Sequence, residues 1–183
     1  GISLFFLVLI TGTMIYFVFR YRKSKNPKAD TSITGSNKLE VIWTVIPTIL
    51  VLVMFYYGWA GFAPMRDVPD DAIPVKAIAR MWSWTFEYEN GKKSDKLIVP
   101  KDKPVLLNLV SVDVNHALYV PAFRIKEDVV PGRNNYMWFT ANEFGSYDLL
   151  CAEYCGLRHA YMLTTVEVVN EDEWGEWMKT PEG

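Results

Sequence analysis

The chain has 183 residues, half of them hydrophobic, and a formal net charge of −2 at pH 7. This length suits one domain of ordinary size together with a membrane anchor. The charge is unevenly distributed, because residues 1–59 carry six Lys/Arg and two Asp/Glu, whereas residues 60–183 carry thirteen and nineteen. An acidic C-terminal part argues against nucleic acid as a partner and favours a basic protein.

Two long uncharged segments occupy the first third of the chain, residues 2–19 and 41–59. A helix needs about 20 apolar residues to span a bilayer. Pro47 lies inside the second segment, where a transmembrane helix tolerates it. The aromatic residues that end this segment are typical of a membrane surface. We therefore predict two transmembrane helices, and the alternative is a pair of buried core helices.

A basic loop, residues 20–39, separates the two segments. It contains Arg20, Arg22, Lys23, Lys25 and Lys28. Because Lys and Arg are enriched in cytoplasmic loops, we place this loop in the cytoplasm. Both ends of the resulting hairpin, residues 1–59, then lie on the other side of the membrane. Residues 60–183 are predicted to be extracytoplasmic.

The C-terminal part has the pattern of an all-β domain. Residues 60–74 contain three prolines and are predicted to form a linker. Residues 75–183 contain short segments rich in β-branched and aromatic residues, separated by turn residues. Strands are predicted within residues 75–88, 96–100, 104–112, 135–141, 146–155 and 162–169, and a short helix at 171–179. Regular spacing of this kind predicts a sandwich or Greek-key barrel.

Metal-binding side chains are concentrated near the end of the chain. Cys151, Cys155, His159 and Met162 follow one another closely, and His116 precedes them by thirty-five residues. Sulfur and imidazole ligands select copper or zinc, and a weak Met ligand is typical of copper electron-transfer sites. A mononuclear blue copper site needs one thiolate. The second thiolate favours two coppers bridged by both cysteines, with one histidine on each.

Three alternatives remain open from the spacing. The two cysteines could form a disulfide in an oxidising compartment. Two Cys and two His could hold zinc, although the Cys pairs of such sites are usually spaced differently. Met162, taken alone, could be a core residue.

Several motifs resemble cytochrome c oxidase subunit II, in order and along essentially the whole chain. They are Glu40–Pro47, Trp82–Tyr88, Asp113–Pro121, Phe123–Lys126, Val130–Gly132 and, most specifically, Cys151–Met162. The resemblance implies a cupredoxin-like Greek-key barrel anchored by an N-terminal two-helix transmembrane hairpin. This sequence departs from the usual pattern at Arg158, where a small polar residue is expected, and at Met81, where Gln is expected.

The resemblance also implies a dinuclear copper A centre in this barrel. Cys151 and Cys155 would bridge the two metals. His116 and Met162 would complete one copper, while His159 and the backbone carbonyl of Glu153 would complete the other. The Glu153 side chain would help to hold a magnesium ion shared with subunit I.

The implied function is that of the electron-accepting subunit of an oxidase. Electrons would pass from cytochrome c to copper A and then to a haem of subunit I, for the reduction of oxygen to water coupled to proton translocation. Subunits I and III are the expected partners. The expected location is the inner membrane of a bacterium, with the copper domain on the periplasmic side, rather than the mitochondrial inner membrane. The alternative is a membrane-tethered copper-binding or chaperone module.

Five further residues are predicted to take part in electron entry, proton transfer or partner binding. The resemblance implies that Trp82 receives the electron and that Glu40 lies near the mouth of a proton pathway. Trp82 could instead be a core residue, and Glu40 an ordinary charge at a helix start. We predict that Asp113, Glu87 and Glu89 lie near Trp82 and contact a basic cytochrome. Trp84 is expected on the opposite face of the same strand.

Overall fold

The computed structural model describes residues 1–28, 31–32 and 34–180. It divides into two compact units, Gly1–Val53 and Met54–Gly183. Helix α1 spans Ile2–Arg20 and α2 spans Asn37–Phe62. Both are long and apolar enough to cross a membrane, and neither buries any of its residues. Such apolar helices require lipid or partner helices around them.

Helix α2 is longer at both ends than the predicted span of 41–59. The main-chain N–H of Glu40 donates to the Ser36 carbonyl at 2.9 Å, and the Ser36 hydroxyl accepts from the N–H of Leu39 at 3.4 Å. Serine is a favourable residue at a helix start, so the helix begins at Asn37. A short 3-10 helix, Ala63–Arg66, follows α2 directly. Part of the predicted linker is therefore helical.

In the part of the C-terminal unit that the structure describes, there are ten strands and a terminal helix. The strands are β1 Ile73–Arg80, β2 Ser83–Tyr88, β3 Lys93–Ser94, β4 Leu97–Pro100, β5 Pro104–Ser111, β6 His116–Val120, β7 Ile125–Val129, β8 Asn135–Thr140, β9 Gly145–Cys151 and β10 Leu163–Val169, and the helix is α3 Glu171–Lys179. One sheet has the order β3-β2-β1-β5-β8, and the other has the order β4-β10-β9-β6-β7. The parallel pairs β1–β5 and β4–β10 show that the strands are not simple consecutive hairpins.

The core lies between the two sheets. Phe86 and Leu107 from the first sheet and Leu118 and Leu149 from the second are all fully buried. Alternating burial along β5 and β1 leaves one face of each strand toward this core, as the two-residue period of a strand requires. The predicted cupredoxin-like β domain after two apolar helices is confirmed, and so is the terminal helix.

Two strand predictions need correction. Residues 75–88 form two antiparallel strands and not one, because the chain reverses at Met81–Trp82 and pairs Val75 with Tyr88. Strands β3, β6 and β7 were not predicted. Four of the five residues of β6 are buried, so this strand lacks the alternation of polar and apolar residues by which half-buried strands are recognised.

One end of the sandwich, here called the ligand end, gathers several strand termini. Ser83 pairs with Arg80 where β1 passes into β2. Ser111 closes β5 beside Ala79. Cys151 ends β9 opposite Leu118 of β6. The loops that follow these strands therefore meet at one edge of the core.

Candidate metal centre

The five predicted side-chain ligands meet at the ligand end. Cys151 is the last residue of β9 and His116 the first residue of β6. Cys155, His159 and Met162 lie on the loop between β9 and β10. The sandwich thus brings a residue from thirty-five positions upstream against a single loop.

The donor atoms form a continuous cluster. The Cys151 Sγ lies 3.8 Å from the Cys155 Sγ and 3.8 Å from the His116 Nδ1. The Cys155 Sγ lies 3.5 Å from the His159 Nδ1 and 3.7 Å from the Met162 Sδ. The Glu153 carbonyl oxygen lies 3.3 Å from the Cys151 Sγ. All six predicted donors, backbone carbonyl included, are therefore in reach of the thiol pair.

These separations fit metal coordination. Metal–sulfur bonds of about 2.3 Å and metal–nitrogen bonds of about 2.0 Å, at near-tetrahedral angles, place two donors of one ion roughly 3.3–3.8 Å apart. The donor atoms of His116, Cys151 and Cys155 all lie within 4.8 Å of one another. A disulfide would require the sulfurs at about 2.05 Å, whereas both cysteines are free thiols.

The cluster is shielded from solvent. His116 is 0% exposed, Met162 1%, Cys155 4% and Cys151 8%. Burial, followed by the neighbouring Cys151 thiol, raises the pKa of the Cys155 thiol to about 11. A thiol of this kind stays protonated at neutral pH until a cation replaces its proton, so metal binding here is coupled to proton release.

Main-chain hydrogen bonds fix the loop. The N–H of Cys151 donates to the Met162 carbonyl at 3.1 Å, and the N–H of Met162 donates to the His159 carbonyl at 3.1 Å. Gly156 has a φ of +113°, and a Cβ there would lie 3.5 Å from the Trp82 ring. The backbone angle favours glycine, whereas a Cβ would make an ordinary contact with the Trp82 ring. Main-chain hydrogen bonds and the conformation of Gly156 therefore define the shape of the loop.

Asp113 lies next to the reversal that contains Trp82, as predicted, and it also contacts a predicted ligand, His116. Its carboxylate accepts hydrogen bonds from the main-chain N–H of Met81 at 2.7 Å and of Val114 at 2.7 Å, and lies 2.8 Å from the His116 Nε2. Partial burial raises the pKa of this carboxyl, but the hydrogen bonds from Met81, His116 and Val114 outweigh it and lower the pKa overall. Asp113 thus orients the His116 ring, with Nδ1 toward the thiols.

The predicted positions of Trp82 and Trp84 need correction. Trp82 precedes β2 and lies in the reversal between β1 and β2. Its indole N–H donates to the Cys155 carbonyl at 3.1 Å. Trp84 is buried and meets the His116 ring edge to face, at 6.3 Å between centroids. Both rings therefore face the cluster and are not on opposite faces of one strand.

Two of the predicted acidic residues, Glu87 and Glu89, lie apart from Trp82. Glu87 is five positions further along the chain, about 16 Å by the rise of a strand, and lies 3.9 Å from Lys76. Glu89 follows the end of β2 at Tyr88. Glu87 and Glu89 are therefore not neighbours of Trp82, in contrast to the expectation from the sequence. The Glu153 side chain is exposed at the ligand end, and Glu40 lies in the first turn of α2.

The role of Asp113 beside His116 was missed in the sequence. Its spacing, three residues before a histidine ligand, was an available signal. Metal-bound histidines commonly use their second nitrogen to bond a carboxylate. The contact of Trp84 with His116 had no such signal, because it depends on the pairing of β1 with β2 and of β6 with β9.

Comparison with known proteins gives consistent matches. The family model described as "Cytochrome C oxidase subunit II, transmembrane domain" matches residues 2–59, and "Cytochrome C oxidase subunit II, periplasmic domain" matches residues 92–169. Cytochrome c oxidase subunit 2 of Oenothera berteroana is 30% identical over 96% of this chain and 80% of its own length. That of Cereibacter sphaeroides is 27% identical over 96% and 71%. The chain spans 54% of the relative from Alkalihalophilus pseudofirmus, with 32% identity.

Solved structures agree. The periplasmic domain of subunit II of the cytochrome oxidase of Bradyrhizobium japonicum superposes with a TM-score of 0.58 and 29% identity, over 61% of this chain and 94% of that one. A mixed disulfide between a thioredoxin-like protein and a cytochrome c oxidase subunit II gives a TM-score of 0.55 and 28% identity, over 61% and 92%.

Proposed function

The chain belongs to the cytochrome c oxidase subunit II family, and we propose that it is the subunit that accepts electrons from cytochrome c. They would pass through a dinuclear copper A centre to a haem of subunit I, where oxygen is reduced to water. The observation that carries this proposal is the cluster of two thiols, two imidazoles and a thioether around the Cys151–Cys155 pair.

The chain's residues would hold the copper as follows. Cys151 and Cys155 would bridge, His116 and Met162 would serve one metal, and His159 with the Glu153 carbonyl would serve the other. Bound there, the two coppers would share one electron between them. Because four of the five side-chain ligands are buried and the donor atoms already lie together, little rearrangement is needed when the charge changes. No position is left for a substrate, which favours electron transfer over catalysis at this site.

A copper chaperone is the competing function. A chaperone must release its metal, so its ligands have to be accessible. Here His116 and Met162 are almost completely buried, and main-chain hydrogen bonds close the loop around them. A closed site of this kind favours retention of the metal.

Trp82 is proposed as the residue that receives the electron. Its ring packs on Gly156 and its indole N–H bonds the carbonyl of Cys155. A half-buried aromatic ring that touches a ligand's own main chain connects the surface with the cluster in a single step. This geometry favours the electron-accepting role over a purely structural one.

The remaining assignments rest on the family. The exposed Glu153 side chain would take part in a magnesium site shared with subunit I. Glu40, at the start of α2, would lie near the mouth of a proton pathway. Subunits I and III would surround the apolar helices. The copper domain would face the periplasm of a bacterium, since the basic loop favours the cytoplasm.

A thioredoxin-like reductant is a further proposed partner. A related subunit II forms a mixed disulfide with such a protein. In this chain the sulfurs of Cys151 and Cys155 lie 3.8 Å apart, so oxidation to a disulfide needs little movement. Attack by a thiolate of the reductant, followed by its second thiol, would return both cysteines to thiols and leave the disulfide on the reductant. Copper could then bind.

Copper stoichiometry and electron paramagnetic resonance of the purified oxidase test the proposal. Two coppers in this subunit with one unpaired electron shared between them are expected. A single copper with a mononuclear blue spectrum, or rapid loss of copper to a competing chelator, would contradict it.

A further inference from the structure

Exposed apolar side chains surround Trp82 at the ligand end. Met81, Val112 and Val114 are exposed, and Leu157 is 88% exposed. These four residues and Trp82 are called the rim below. Apolar groups scattered singly are ordinary on a protein surface, whereas a contiguous group often marks a binding surface.

Contacts between neighbouring segments bring the rim residues to the same region of the surface. The N–H of Met81 bonds the carboxylate of Asp113, and Asp113 stands between Val112 and Val114. Trp82 lies against Gly156, whose neighbour in the chain is Leu157. The rim therefore lies around Trp82, whose indole N–H bonds the main chain of a predicted ligand, Cys155.

The charges beside the rim are not those of an acidic docking surface. Asp113 is occupied by three hydrogen-bonding groups. Arg80 directly precedes Met81, and Arg158 directly follows Leu157. Both arginines are exposed, and neither forms an ion pair within the described part of the chain.

The acidic excess of the domain lies elsewhere. Glu171, Asp172 and Glu173 form the first turn of α3. This helix follows β10, which leads away from the ligand end over seven residues, about 20 Å at the rise of a strand. That distance is about twice the Debye length at physiological ionic strength, so these charges act weakly at the rim.

We propose that the rim is the docking surface for a c-type cytochrome whose haem edge is surrounded by apolar and uncharged side chains rather than by lysines. The proposal rests on the function proposed above and specifies its electron donor. An apolar centre without competing charges binds a matching apolar surface. A ring of lysines would meet Arg80 and Arg158, and like charges across an interface oppose association. The carboxylate of Asp113 is hydrogen-bonded within the chain, and that of Glu153 would be engaged by the proposed magnesium ion. The inference replaces the expectation of salt-sensitive docking through Asp113, Glu87 and Glu89.

The first test compares two donors on the purified oxidase. The second-order rate of electron transfer is measured from about 100 to about 500 mM salt, where the Debye length is about 10 Å or less and charges about 20 Å away are screened. A cytochrome with an apolar haem edge should react faster at low salt, with less than about a twofold change over the range. A strongly basic cytochrome should be slower, with a rate that stays level or rises with salt. A basic donor that is fastest at low salt and slows about tenfold as salt rises would overturn the proposal.

The second test uses rim variants with a matched control. Leu157→Ser and Met81→Ser should each lower the rate with the apolar donor about five- to tenfold, as loss of a central interface side chain does. Phe144→Ser removes an apolar side chain of 58% exposure from the β8–β9 turn at the opposite end and should leave the rate unchanged. Equal rates for all three variants would overturn the proposal, and so would loss of subunit I from the rim variants.

The copper signal separates the two proposals. If the rim variants keep the dinuclear signal and turn over normally with a small-molecule reductant, the effect belongs to docking. If the unmodified oxidase shows no dinuclear signal and accepts electrons from neither cytochrome, the proposed function itself fails.

Discussion

The loop from Cys151 to Met162 has two faces that differ sharply. The inner face carries the buried sulfur donors and the half-buried His159, and the outer face carries Tyr154, Leu157 and Tyr161, all strongly exposed. A single segment thus holds the proposed metal centre and presents a surface to a partner. Substitutions on the inner face should change copper content and spectrum, whereas those on the outer face should change only the rate of electron transfer.

The largest effect is expected from Cys151→Ser on the inner face. This change removes one of the two thiols that are proposed to bridge the metals, so the dinuclear signal should disappear and activity should be lost. Met162→Leu is the matched comparison, because a thioether is a weak ligand that tunes the site. It should keep both coppers with a shifted spectrum and potential. Equal loss of copper from both variants would show that Met162 has been misjudged.

Trp82→Ala should have the next largest effect. The ring connects the rim with the Cys155 carbonyl, so flash-induced electron transfer from bound cytochrome should slow by at least about tenfold, a barrier increase of roughly 1.4 kcal/mol. The copper spectrum should remain. Trp84→Ala, in contrast, should lower stability by about 3–5 kcal/mol, because it empties a buried position. If the Trp82→Ala variant transfers electrons at the normal rate, or loses copper, then Trp82 has a structural role and does not receive the electron.

The same division explains what the sequence could predict. The ligand types, their spacing and the two apolar segments are local features, and they were sufficient for the fold class and for the donor set. The positions of Asp113 and Trp84 depend on which strands are neighbours. Strand β6 has no alternating pattern, and the reversal at Met81–Trp82 contains neither glycine nor proline. Sequence periodicity could therefore not place Trp82 in a turn or bring Trp84 against His116.

Asp113→Asn tests a residue that contacts both the proposed metal centre and the rim. The carboxylate bonds the outer nitrogen of His116 and the N–H of Met81 in the rim. Loss of such a carboxylate typically lowers metal affinity about 10- to 100-fold, which competition with a copper chelator can measure. Asp128→Asn is the control, since Asp128 is an exposed acid on β7 opposite Ala117 and pairs with Lys126 at 3.6 Å. Unchanged affinity in Asp113→Asn would show that Asp113 does not support the site.

The smallest effect is expected at Glu167, away from both faces. Its carboxylate accepts from the hydroxyls of Thr165 at 2.7 Å and Ser146 at 2.9 Å, with Lys96 at 3.5 Å. Partial burial raises the pKa of Glu167, but these hydrogen bonds and the Lys96 charge outweigh it and lower the pKa overall. A carboxyl with a lowered folded pKa stabilises the fold above its unfolded pKa of about 4.3, and that stability is lost as the pH falls through the folded value.

Glu167→Gln should therefore lower the free energy of unfolding of the metal-free full chain in detergent by about 0.5–1 kcal/mol at pH 7. The difference should shrink as the pH falls below about 4, because the wild-type carboxylate is then being protonated. Glu143→Gln, in the exposed turn between β8 and β9, is the control and should change neither value. Because Glu167 touches neither the ligand cluster nor the rim, the copper-loaded variant should keep its spectrum and its rate with cytochrome. A change in either property would mean that the second sheet transmits strain to the ligand end, and that the two faces of the loop are not independent of the sandwich beneath them.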